Sequence, residues 1–134
     1  MASRSENYVN ILHKNYKKRV ILIDRFTDST IAYQHYGMGI DKNLIIKLNQ
    51  TILKKIKPNF TFINTVSMKN LNLRLNKKNK NRYDKFNNRF YNKVQKGFIK
   101  LSKNKRNYML INSNLNISLN KKIIIKKINS LLSI

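Results

Sequence analysis

Apolar positions along the chain fall into two kinds of block, one at helical spacing and one continuous. In residues 2–18, Tyr8, Val9, Ile11, Leu12 and Tyr16 recur near helical spacing, which predicts a first helix. Residues 20–23, Val-Ile-Leu-Ile, form a short unbroken apolar run of the kind a strand buried on both faces carries. Polar residues 27–39 follow, with Gly37 and Gly39 marking a turn or loop. Asp41 is placed to cap a helix running to about Ile56, whose apolar face is Leu44, Ile45, Leu48, Ile52 and Ile56. Lys57-Pro58-Asn59 is a turn, and the alternating, β-forming stretch 60–66 is a second strand.

The second half repeats the alternation. Ser67 is a plausible N-cap for a helix containing Leu71, Leu73 and Leu75. Residues 76–80 (NKKNK) contain no apolar side chain and read as a basic loop. Helical spacing returns over 83–103 through Phe86, Phe90, Val94, Phe98 and Leu101, then a third apolar strand at 108–111 and a last amphipathic helix at 118–133. Strands alternating with helices predict an α/β protein with a parallel sheet.

Composition first pulls the reading elsewhere. The chain has 134 residues, 29 Lys plus Arg, 5 Asp plus Glu and a formal charge of +24, the profile of a nucleic-acid binder. Yet 22 lysines, 22 asparagines and 18 isoleucines are all products of AT-rich codons. Only 7 of the cations are arginines, the residue that phosphate- and base-reading surfaces favour. The lysines are spread over nearly every segment rather than one stripe. Without cysteine, neither a disulfide framework nor a cysteine metal site is possible. No membrane span or secretory signal is visible, so the expectation is a cytoplasmic protein that meets nucleic acid only non-specifically.

The few acids are more informative than the many bases. Glu6, Asp24, Asp28, Asp41 and Asp84 are the whole set. Asp24 and Arg25 directly follow the apolar run, and an open parallel sheet binds ligands beyond the carboxyl ends of its strands. A carboxylate there can orient Mg²⁺ or its water, and an adjacent Arg can grip a phosphate with two donors.

The longer string VILIDRFTDSTIAYQHYGMG, residues 20–39, closely resembles the central segment of thymidylate kinases, an apolar run followed by DR[YFH]-x-x-S-x-x-AYQ-x-x-GxG. Weaker elements stand in order around it. Ala2-Ser3-Arg4 resembles the family's AxR, Lys57-Pro58-Asn59-Phe60-Thr61 its KPDLT, and Arg74 the arginine that opens its lid. Asn81-Arg82-Tyr83-Asp84 resembles the close of that lid, and Ile111-Asn112-Ser113 stands where the family has IDA. The fold implied is a partial P-loop nucleoside monophosphate kinase fold, a parallel sheet flanked by helices that lacks its first two strands. Residues 1–134 would then be the C-terminal two-thirds of such a domain, with a dTMP site, a lid at about 74–84, and a terminal strand and helix.

The resemblance also implies roles. Asp24 helps place Mg²⁺, the one metal expected, and ATP is the phosphoryl donor. Arg25 holds the 5′-phosphate of dTMP, Arg4 the thymine edge, and Ser29, Thr30, Tyr33 and Gln34 line the nucleoside pocket. Arg74, Lys77, Lys78, Lys80 and Arg82 form the lid over the ATP phosphates, with Asp24, Arg25, Arg74 and Arg82 as the catalytic set. The family's G-x-x-x-x-G-K-[ST] phosphate loop is not in the sequence, whose three glycines are Gly37, Gly39 and Gly97. The expectation is therefore an N-terminally truncated chain, inactive alone and homodimeric by family analogy, whose gene has a misassigned start, is frameshifted, or is split, with a separate N-terminal fragment carrying the loop in the last case. In the family's strand order, 2-3-1-4-5, the strand at 20–23 loses both neighbours and the one at 60–66 loses one. Rival readings are a small basic nucleic-acid-binding protein and a non-functional gene remnant.

Overall fold

A computed structural model describes Glu6, residues 8–76 and residues 86–133. Helix α1 is a π-helical turn, Tyr8–Leu12, continued by an α-turn, His13–Asn15. Helix α2 is an α-turn, Thr27–Thr30, that widens into a π-helix, Ile31–Gly37. Then come α3 (Lys42–Leu53), β1 (Thr61–Thr65), α4 (Met68–Asn76), α5 (Asn88–Ser102), β2 (Tyr108–Asn112) and α6 (Ile117–Leu132).

The helix starts follow capping chemistry. The Asp41 carboxylate accepts from the Leu44 N–H at 2.8 Å, the Asn87 side chain from Phe90 at 2.9 Å, and Asn116 from Ser118 at 2.7 Å. Ser67 acts as expected, its hydroxyl accepting from the Asn70 N–H at 3.3 Å. Helix α3 ends at Leu53 rather than Ile56, where Lys54 takes a left-handed conformation (φ 51°). Its buried stripe is Ile45, Asn49 and Leu53, while Leu44 and Leu48 are exposed, so the inward face is rotated from the one predicted.

Strands β1 and β2 pair in parallel, with Thr61 opposite Tyr108 and Thr65 opposite Asn112. Ile63 and Ile111 are buried there. The main core joins three helices: Ile31 and Ala32 of α2, Ile45 of α3, and Phe90, Val94 and Leu101 of α5. Gly97 allows a close approach, since a Cβ there would lie 2.5 Å from the Tyr36 ring.

Two expectations are corrected. Residues 27–39 are mainly helix, not loop: burial of Thr30, Ile31 and Ala32 outweighs the polar composition, and the turn is confined to Met38 and Gly39 (φ 82°). Residues 20–23 are not a sheet strand. Among the described residues, no backbone hydrogen bond joins them to a neighbour, and the sheet has two strands. Ile21 packs with Phe26 against Leu12 and Leu53, while Val20 and Leu22 are 65% and 83% exposed. Strand composition cannot make a strand where no partner edge is in reach.

Candidate nucleotide site

The segment after residues 20–23 turns sharply at Arg25, which sits in the left-handed region (φ 58°). That conformation costs a non-glycine residue about 1 kcal/mol or more and aims its side chain back over α2. There the guanidinium carbon lies 5.5 Å from the Tyr33 ring centroid, within cation–π range. Tyr33 is itself braced edge-on by Phe90 and Phe98, at centroid distances of 6.0 and 6.4 Å. The π-helical turn places it: the Met38 N–H reaches back five residues to the Tyr33 carbonyl at 3.0 Å. Such widened turns concentrate at functional sites.

Asp24, Arg25, Ser29 and Tyr33 line an open groove of about 1070 Å³, whose far wall includes Phe62 and Asn64 of β1. Thr30 is buried under α2, and the Gln34 side-chain oxygen is buried without a hydrogen-bond partner among the described residues. Neither is among the residues lining the groove. Asp24 is exposed, so its carboxylate is free to meet an ion. No cluster of three metal-ligating side chains occurs among the described residues. Mg²⁺ needs none, since it binds through one or two carboxylates, retained waters and substrate phosphates. A lone accessible Asp beside an arginine, a side chain able to pair with phosphate, fits that donor set.

Asp28 has a partner that no local pattern announces. The Tyr108 hydroxyl donates to its carboxylate at 2.8 Å. Burial, together with that carboxylate, pushes the Tyr108 phenol up to about 12. The bond ties α2 to the first residue of β2 and so to the amino end of the strand pair.

The cations assigned to the other half of the chemistry lie elsewhere. Arg4, Lys77, Lys78, Lys80 and Arg82 fall outside the described residues. Arg74 closes α4 and donates to the Ser113 carbonyl, just beyond the carboxyl end of β2. The neighbouring Asn114 side chain accepts from the Ser67 N–H (3.0 Å) and the Asn70 amide (2.9 Å), holding α4 against the sheet. Tyr108 and Ser113 are five residues apart, roughly 16 Å of strand. Asp28 and Arg74 are thus fixed at opposite ends of the strand pair.

Residues 1–124 match the family model described as thymidylate kinase. The chain is 39% identical over 104 residues to a thymidylate kinase from Ehrlichia chaffeensis, a stretch covering 77% of this chain and 50% of that protein. It is 46% identical over 81 residues to one from Wolbachia pipientis, covering 60% and 39%. A crystal structure of the Ehrlichia chaffeensis thymidylate kinase matches with a TM-score of 0.71 at 32% identity, over 96% of this chain and 60% of that one. The chain spans about half the length of the curated relatives it matches.

Proposed function

Because this chain belongs to the thymidylate kinase family, we propose that it carries the dTMP-binding half of an enzyme that moves the γ-phosphoryl group of ATP to dTMP. The observation that supports this most is the DR…AYQ string seated on the groove, with Arg25 held over Tyr33 at 5.5 Å. Arg25 holds the 5′-phosphate with two donors, and Tyr33 packs beside the deoxyribose, where it disfavours a 2′-hydroxyl. Ser29 lines the pocket, while Thr30 and Gln34 back it from inside the helix, the buried Gln34 oxygen keeping an unused acceptor. Arg4 hydrogen-bonds the thymine edge, and Arg74, Lys77, Lys78, Lys80 and Arg82 close over the ATP phosphates.

Catalysis of this kind is positioning and charge neutralisation, with no covalent intermediate. Mg²⁺, held by Asp24, neutralises phosphate charge when bound. A separate polypeptide bearing the phosphate loop supplies the remaining ATP contacts, and the assembled enzyme is a cytoplasmic homodimer to whose contacts α1 contributes.

Isothermal titration with dTMP tests the reading. Saturable binding that Arg25→Ala weakens at least ~10-fold, as loss of a charge-assisted pair does, is expected. Binding to polynucleotides alone, falling steeply with salt, would favour the basic nucleic-acid binder instead.

A further inference from the structure

Parallel strands are entered from one end, so the segments that lead into them gather there. The Thr61 N–H donates to the Asn107 carbonyl at 3.0 Å, which sets the residues before β1 beside those before β2, about 4.8 Å away across the ladder. Ile21 and Ile56 both pack against buried Leu12 and Leu53, which brings residues 16–19 to the same end. Lys17, Lys18, Arg19 and Lys57 line one groove there.

Each lead-in segment carries three cations. Before the run at 20–23 stand Lys17, Lys18 and Arg19, and before β1 stand Lys54, Lys55 and Lys57. Before β2 stand Lys103, Lys105 and Arg106, and all of these side chains are exposed. Residues 17–19, 54–57 and 103–106 thus hold nine cations in eleven positions, against 29 in 134 for the chain, a concentration that an even spread of lysine codons does not produce. None of the eleven is acidic. Asp24 and Asp28 line the adjoining groove, and Asp28 is already engaged by the Tyr108 hydroxyl at 2.8 Å. The C-terminal ends of α3 and α5 lead into two of these segments, but each supplies only about half a negative charge. Most of the positive charge is therefore left for a partner from outside the fold.

We propose that this amino end of the strand pair binds the phosphate backbone of a single-stranded polynucleotide, at the opposite end from the contact of Arg74 with Ser113. A compact patch suits a flexible strand that can fold its phosphates over it, whereas a duplex is stiff over about 150 base pairs. Tyr16, half-buried in the same groove as Lys17 and Lys57, offers a ring on which a base can stack. Seven of the nine cations are lysines, point charges that attract phosphate without reading base edges, so the binding is indifferent to sequence. The site stands on where the lead-in segments lie and survives failure of the nucleotide reading.

Fluorescence anisotropy with a labelled oligodeoxycytidylate of about twelve nucleotides tests it. The logarithm of the binding constant falls against that of salt with a slope of about −3 or steeper, as about four phosphate contacts at about 0.7 each require. Lys55→Gln, Lys103→Gln and Arg106→Gln together weaken binding at least ~10-fold in low salt and make the slope shallower by about 2. Lys121→Gln, Lys122→Gln and Lys126→Gln remove the same charge from exposed positions on α6 and change affinity less than ~3-fold. Saturating dTMP leaves the affinity unaltered. Equal losses from the two triple variants, with unchanged melting temperatures, overturn the proposal by tracing the binding to overall charge. Tighter binding of a duplex of the same length also overturns it, as does displacement of the oligonucleotide by dTMP.

Discussion

Tyr108 is the residue whose behaviour is most sharply tied to its surroundings. Its hydroxyl is held by Asp28, and its phenol is raised from the ordinary 10 to about 12. A pKa raised on folding means that the native state keeps the proton longer than the unfolded chain does. The stabilisation is therefore complete below pH 10 and is lost as pH climbs from 10 to about 12. Denaturant melts across that window should show the loss in the native chain and little of it in Tyr108→Phe. At neutral pH the same variant is expected to unfold about 1 kcal/mol more easily, since one hydrogen bond to a partly solvated carboxylate is removed. Arg25 illustrates the other kind of residue effect. Arg25→Gly relieves its left-handed backbone but deletes the guanidinium, so it should hold or raise the melting temperature while dTMP affinity in titration falls.

Among the elements, the contact between α2 and α5 organises the core, and it depends on Gly97. A methyl group at that position meets the Tyr36 ring at 2.5 Å, and the atoms it meets include the Tyr36 Cβ, which cannot swing away freely. Overpacking of this sort costs about 1–3 kcal/mol, against a helix-propensity gain of about 1 kcal/mol from glycine to alanine. Gly97→Ala should therefore lower stability by about 1 kcal/mol in a urea melt, whereas an alanine in an exposed helix position would raise it. The same contact explains why α2 was hard to foresee. Its residues are polar, and nothing local to 27–39 reveals that Thr30, Ile31 and Ala32 have a helix to pack against some sixty residues later.

For the molecule as a whole, charge dominates. A formal charge of +24 repels itself in any compact state. Screening shortens the reach of that repulsion from about 30 Å at 0.01 M salt to about 3 Å at 1 M, so the melting temperature is expected to rise across that range. Turnover is a separate matter. Without a G-x-x-x-x-G-K-[ST] loop in the sequence, the isolated chain should form negligible ADP from ATP and dTMP. Robust ADP release in a coupled assay would refute this.

Local chemistry was enough to read the caps at Asp41 and Ser67, the strands at 61–65 and 108–112, and the family string around Asp24, Arg25 and Tyr33. Those features depend on residues a few positions apart, or on motif order along the chain, which is information the sequence carries directly. The run at 20–23 shows the limit. Its composition specifies a buried strand, but a strand exists only as a ladder with another, and among the described residues no edge pairs with it. Tertiary structure alone decided that these residues wall a groove, that α2 is helical, and that Tyr108 holds Asp28 across eighty positions of chain. Each of these is a contact between distant segments, whose formation depends on packing that no local pattern encodes.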